Sequence, residues 1–336
     1  MKKILTLVIG TFLSVHIAFA QQDPMFTKYM FNTLAFNPAY AGANDHLSLG
    51  LLHRTQWWGI KGGPQTQSLT AHSPLKNNRV GVGASIMNDN LGPTNTFTAD
   101  FSYAYRIPIG SKAKLSIGLQ AGFQNYTLDP SKLDLLDKTD PSFASINRTT
   151  PNFGAGLYYS TKHFYFGFSS PHLVEWAYGK TTTPGKPYSS QYRHYFTTMG
   201  AAIPINGDAL IFKPSIMIRN VGLLSSLNKD FYKSKVRAPT GFDIDLSLLF
   251  YQQFWVGAAY RSAFEQFSTD KDGKPLSSVS SVNGWIAYNL PSGLRIGAAY
   301  DYNLTKLQKP TQGSFELFLG YEFDYKEKKV VTPRYF

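Results

Sequence analysis

Two aspartates, Asp243 and Asp245, have the spacing that most invites a chemical reading. In a strand they share one face, about 7 Å apart by strand rise. That separation suits the carboxylate pair of a glycoside hydrolase. Far more often such a pair is polar lining on the inner face of a sheet. The histidines add little. His46, His53, His72, His163 and His194 fall in strand-like runs or at their ends, and His172 opens a loop. None makes the i, i+4 pair of a helical metal site. Gly81-Val82-Gly83 lacks the third glycine and following helix of a dinucleotide site, and neither G-x-S-x-G nor a phosphate loop occurs. No catalytic residue, cofactor or resident metal is expected.

The elements that must position these residues are strands. Apolar and polar residues alternate with period two almost everywhere after residue 45. Phe97, Ala99, Phe101, Tyr103, Tyr105 and Ile107 fall on one face, against Thr98, Asp100, Ser102, Ala104 and Arg106. The runs Leu115–Phe123, Phe242–Phe250, Leu294–Leu304 and Phe315–Phe323 repeat the pattern. Strands are read near 46–57, 65–74, 79–90, 95–109, 112–127, 150–160, 163–171, 194–206, 208–221, 238–251, 253–267, 277–290, 293–306 and 311–325, which makes about fourteen. By parity Asp100, Arg106, Arg219, Asp243, Asp245, Arg261, Arg295, Asp301 and Glu316 face one side. Their mixed charges predict a hydrogen-bonded, partly closed lumen network and not a single-sign selectivity ring.

The connections alternate in length. Short ones fall at Lys76–Asn78, Gly110–Ser111, Thr161–Lys162, Asn206–Gly207, near Gln252, and at Pro291–Ser292. Long ones fall at Trp58–Pro64, Leu128–Thr149, His172–Arg193, Gly222–Arg237 and Ser268–Leu276. Outer-membrane barrels have short periplasmic turns and longer outer loops. A soluble β-sandwich has no reason to keep that order. Composition agrees: 15% aromatic residues and 28 glycines fit a barrel, and 16% charged residues exclude disorder. No stretch beyond the first twenty residues approaches the ~20 apolar residues of a spanning helix. Lys and Arg outnumber Asp and Glu 33 to 21, but no basic motif accompanies them, so nucleic acid is not an expected partner.

Lys2, Lys3, the apolar run Ile4–Ile17 and Ala18-Phe19-Ala20 read as a signal peptide cleaved after Ala20. With no cysteine, neither disulfides nor a cysteine-linked lipid are available. The expected organisation is a signal peptide (1–20), an N-terminal plug or docking segment (21–45), a transmembrane antiparallel β-barrel (46–325) and a tail (326–336). The class is all-β, and the place is the outer membrane of a Gram-negative bacterium, in contact with its lipids and lipopolysaccharide. In the N-terminal segment Asp23 can cap a short helix that Pro24 begins and Asn37-Pro38 stops. Phe26, Tyr29, Met30, Thr33 and Leu34 would share its apolar face. That helix could plug the barrel mouth, meet a periplasmic partner, or simply pack on the barrel base. Its candidate docking residues are Phe26, Tyr29, Met30, Phe31, Asn37, Pro38 and Tyr40. Asp129, Asp134, Asp137 and Asp140 could hold calcium, though their loop lacks EF-hand spacing. Lys229, Lys233, Lys235 and Arg237 could meet lipid phosphates or an acidic partner.

Several motifs in order carry a resemblance. Residues Gln21–Asn32 (QQDPMFTKYMFN) precede Phe36-Asn37-Pro38-Ala39-Tyr40-Ala41-Gly42. Arg54-Thr55-Gln56-Trp57-Trp58-Gly59 and Gly63–Leu69 follow, then Asn88-Asp89-Asn90-Leu91-Gly92-Pro93-Thr94, Tyr103-Ala104-Tyr105-Arg106 and Pro333-Arg334-Tyr335-Phe336. Together they resemble the PorP/SprF family of Bacteroidetes outer-membrane proteins of the type IX secretion system. Asn90 and Trp58 depart from the residues common there. The resemblance implies a non-enzymatic barrel that works with the secretion and gliding machinery. Members aid export or surface attachment of proteins with a C-terminal sorting domain. It also implies association with the periplasmic apparatus and a peptidoglycan-binding lipoprotein. Trp57, Trp58, Asp89 and Pro93 are candidate outer-loop contacts. Two other readings stand beside it: a fatty-acid-channel-like transporter of hydrophobic small molecules, comparable in its Asn37-Pro38-Ala39, and a passive porin.

Overall fold

The computed structural model describes residues 24–75, 78–132, 145–178, 189–222, 240–264, 268–269, 275–276, 280–305 and 308–323. The expected signal peptide, Asp23, Asp134, Asp137, Asp140, the basic residues of 229–237 and the terminal Pro333–Phe336 lie outside them.

The described chain forms β1 (Leu47–Thr55), β2 (Gln65–Pro74), β3 (Val80–Leu91), β4 (Thr94–Ile109), β5 (Ala113–Leu128), β6 (Ile146–Thr161), β7 (Phe164–Ser170), β8 (Trp176–Tyr178), β9 (Ser189–Gln191) and β10 (His194–Ala201). It continues with β11 (Ile203–Asn206), β12 (Leu210–Val221), β13 (Gly241–Phe250), β14 (Phe254–Ala263), β15 (Ser268–Thr269), β16 (Pro275–Leu276), β17 (Ser281–Asn289), β18 (Leu294–Asn303) and β19 (Ser314–Phe323). β10 and β11 are one stave interrupted at Ala202, with a register shift between Pro204 and Asn206. Fourteen antiparallel staves result, and β1 pairs with β19 from Leu47↔Phe323 to Thr55↔Phe315. Closure leaves no sheet edge along this seam, which the interior of a bilayer requires.

Burial follows the alternation. Phe101, Tyr103, Ile117, Leu119, Leu246 and Leu317 are exposed on the outer wall. Thr98, Asp100, Ser102, Arg106, Asp243 and Asp245 are buried on the inner one. Outside β1–β6 the apolar wall gives way upward to amides and hydroxyls. Asn95 donates to Asn88 and Asn90 at 2.9 and 2.7 Å, and Asn125 to Asn147 and Thr149, both at 2.9 Å. The short connections lie at one end, which is the periplasmic end by the barrel rule. At the other end the β3–β4 connection is only Gly92-Pro93, shorter than its neighbours. β8 pairs with β9 and β15 with β16 as short antiparallel ladders, inside segments whose sequence reads as loop.

The N-terminal segment departs from the expected single helix. It forms three 3-10 turns, Tyr29–Phe31, Thr33–Ala35 and Pro38–Tyr40. The cause is its surroundings. The barrel wall encloses the segment, so burial rewards side chains in every direction and not one apolar stripe. Asn37 caps the last turn instead of merely stopping a helix: its Oδ1 accepts from Ala39 N at 3.0 Å, with Pro38 first in the turn.

Candidate functional site: a plugged lumen

The segment runs down the lumen from the outer half to the periplasmic end. Near the outer end Thr27 and Lys28 donate their backbone N–H groups to the two carboxylate oxygens of Glu316, at 2.6 and 2.7 Å. Thr27 Oγ1 donates to Asp301 at 2.8 Å and accepts from Arg54. Arg54 also reaches Asp301 at 2.5 Å and Glu316 at 3.2 Å. Arg54 is on β1, Asp301 on β18 and Glu316 on β19, so one cluster spans the first-to-last seam and grips the plug. Arg261 pairs with Asp243 and donates to Phe26 O at 2.7 Å, while Arg219 approaches Asp243 at 3.4 Å.

Lys28 is fully buried, and its ammonium is answered on every side. It donates to Asp245 at 2.7 Å and to Asn283 at 2.9 Å, and lies 4.9 Å from the centre of the Trp285 ring. Trp285 Nε1 donates to the same Asp245 at 2.9 Å. Four cations (Lys28, Arg54, Arg219, Arg261) therefore meet four carboxylates (Asp243, Asp245, Asp301, Glu316). Charges this deep persist only when paired.

Below this network the contacts become aromatic and then close backbone approaches. Phe31 stacks on Phe318 at 4.4 Å, with Trp255 and Trp285 at 5.4 and 5.5 Å and the Arg295 guanidinium 5.2 Å away. Tyr29 OH shares a hydrogen bond with Ser215. Asn37 Nδ2 donates to Leu157 O at 3.1 Å, and Ser169 Oγ to Phe36 O at 2.7 Å. A side chain on Gly118 would fall inside the backbone of Ala39, and one on Gly81 inside that of Ala41. Glycine at these inward positions lets the plug touch the wall. At the periplasmic end Asp45 takes Arg106 at 2.7 Å and Lys114 at 3.3 Å.

The expected lumen residues all face inward, and most join one network. Asp243 and Asp245 are each held by a cation, Arg261 and Lys28 respectively. Asp100 stands apart, accepting from Gln120 at 3.2 Å and Asn152 at 2.9 Å. Arg295 sits lower, donating to Asn289 at 2.7 Å and Glu322 at 3.3 Å. Of the candidate docking residues, Phe26, Tyr29, Asn37 and Pro38 are buried, and Met30, Phe31 and Tyr40 are half-buried inside the wall. A partner outside the barrel does not reach the buried four in this arrangement. Of the outer-loop candidates, Trp58 is 52% exposed and packs edge-on against Phe315. Trp57 and Pro93 are half-buried, and Asp89 turns inward to accept from Thr66 at 2.5 Å. Among the described residues no cluster of three or more His, Cys, Asp or Glu could hold a metal ion.

Among the described residues, small cavities lie beside the plug. One of about 50 Å³ lies toward the periplasm, beside Met30, Tyr40, His72 and Glu322. One of about 30 Å³ lies on the outer side, beside Met25, Phe36, Met217 and Arg219.

Residues 18–321 match the family described as "Type IX secretion system membrane protein PorP/SprF". No curated protein matches the chain. Solved structures with a similar fold include the CymD monoaromatic hydrocarbon channel, at 12% identity and TM-score 0.51 over 90% of this chain and 94% of that one. Another is the outer membrane protein Omp33 of Acinetobacter baumannii, at 9% identity and TM-score 0.42 over 83% and 99%. At such identities the likeness concerns the barrel fold alone.

Proposed function

Because the chain belongs to the PorP/SprF family of type IX secretion system membrane proteins, we propose that it is a non-enzymatic outer-membrane component that aids export or surface attachment of proteins with a C-terminal sorting domain. In this reading the periplasmic end meets the secretion machinery and its peptidoglycan-binding lipoprotein. The outer loops, Trp58 among them, meet the secreted protein. The plugged lumen is the observation that carries the reading beyond family membership. A segment fixed by four buried cations and four carboxylates fills the barrel, so the wall serves as a scaffold and not as an open pore.

The competing reading, passage of hydrophobic small molecules, gains from the fold shared with a hydrocarbon channel. The cavities described beside the plug give it no support. An apolar cavity of about 150 Å³ is what benzene occupies, and those here hold about 50 and 30 Å³. Affinity purification of the tagged barrel from native membranes tests the choice. Co-purifying secretion components are expected. A barrel that emerges without protein partners and with a lipid-like ligand inside would sink the secretion reading.

A further inference from the structure

We infer that one half of the periplasmic rim, the arc formed by the β2–β3, β4–β5 and β6–β7 turns, is a docking surface for an acidic face of a periplasmic protein. The inference rests on the reading above and names the surface that the reading leaves open.

These three turns are neighbours, because β2 to β7 are consecutive in the wall. Each presents an exposed cation: Arg79, Lys112 and Lys162. None of the three makes an ion pair or side-chain hydrogen bond among the described residues. Among the described residues at this end, Asp45 is already held by Arg106 and Lys114, and Asp208 lies in the next turn beyond Lys162, between β11 and β12. The described residues of the arc thus carry a net positive charge. Adjacent turns are two strand spacings apart, so the cations span about 20 Å, the length of some thirteen residues of helix at about 1.5 Å each.

The opposite half of the rim differs. Its turns hold Gly207, Asp208 and Ala209, then Tyr251, Gln252 and Gln253, then Pro291 and Ser292, with no lysine or arginine. That asymmetry separates two sources of anions. Phospholipid surrounds a barrel on all sides, so cations serving headgroups would be spread round the rim. Among the described turns the cations fall in one half only, which suits a partner that sits on one side, and complementary charge would steer and orient it.

A photo-crosslinking residue at Ser111 in the full-length protein, expressed in its native envelope, tests the surface, with Gln253 and Ser292 as control positions. The expected adduct at Ser111 is a periplasmic protein whose linked peptide is rich in Asp and Glu. Combined Arg79→Glu, Lys112→Glu and Lys162→Glu should lower its yield at least about ten-fold. Lys112→Arg with Lys162→Arg should keep it. The heat-dependent gel shift of the barrel confirms that each variant folds. Adducts unchanged by reversal, adducts only with phospholipid, or equal adducts from Gln253 and Ser292 would overturn the inference. If the reversed variant still co-purifies with the secretion machinery as wild type does, this surface is wrong and the secretion reading stands. If wild type itself brings down none of the machinery, the secretion reading fails first.

Discussion

Replacing Lys28 by methionine removes the ammonium and keeps the length of the side chain. Asp245 then remains fully buried with only Trp285 Nε1 donating to it. Removing one partner of such a pair costs about 3–5 kcal/mol, chiefly because the other charge is stranded. If that cost falls on the seated plug, its equilibrium toward release shifts by roughly two to three and a half powers of ten. Single-channel recording in planar bilayers reads this as open events that wild type lacks, and protease cleavage within 24–45 reads it independently. Lys28→Met with Asp245→Leu strands no charge and should recover most of the loss, so the pair forms a double-mutant cycle. The reasoning is refuted if Lys28→Met alone leaves both readouts at wild-type levels. It is equally refuted if the double variant releases the plug as readily as the single one.

Gly118→Val should dislodge the last 3-10 turn, since its side chain occupies the place of the Ala39 backbone. Overpacking of this kind costs about 1–3 kcal/mol, and cleavage near residues 37–45 with an intact barrel gel shift would report it. Deleting residues 21–45 should leave a barrel that inserts and conducts. If that barrel still supports export, the segment is not the docking element. Outside the membrane, Ser131 donates through Oγ and N to Asp129 at 2.6 and 3.1 Å, which holds that carboxyl below its ordinary range. The turn is thus favoured above the ordinary Asp range and loses that support as pH falls through the lowered value. An NMR titration of Asp129 should move upward on Ser131→Ala.

Wherever the sheet has one apolar and one polar face, parity alone placed the side chains. Asp100, Arg106, Asp243, Asp245, Asp301 and Glu316 point inward as alternation predicts. Arg54 escaped that logic because β1 reads Leu49-Gly50-Leu51-Leu52, with a leucine on both faces. Leu51 is exposed to the outside and Leu52 is buried inside. Hydropathy could not say which side Arg54 shared. Lys28 escaped for a different reason. Its segment has no period, and its conformation is set by the wall that surrounds it. The β8–β9 ladder is fixed by Tyr178 stacking on Tyr126 and bonding Gln124 and Gln191, contacts between residues far apart in sequence. The fourteen staves were legible because each repeats its own local signal. The plug segment was legible but its conformation was not, because that shape is borrowed from the barrel.

The direction in which the segment runs has a mechanical consequence. Pro24 lies toward the outer half, beside Phe196 and Arg219, while Asp45 lies at the periplasmic rim. A machine pulling from the periplasm would therefore seize a loop at residues 43–46. Such a load would peel the contacts one after another, first Asp45–Arg106, then the glycine-lined turn, and the Lys28 cluster last. A load from outside would meet the Thr27–Glu316–Arg54 cluster at once, with the bonds strained in parallel. The geometry thus lets the plug yield step by step from below and resist force from above.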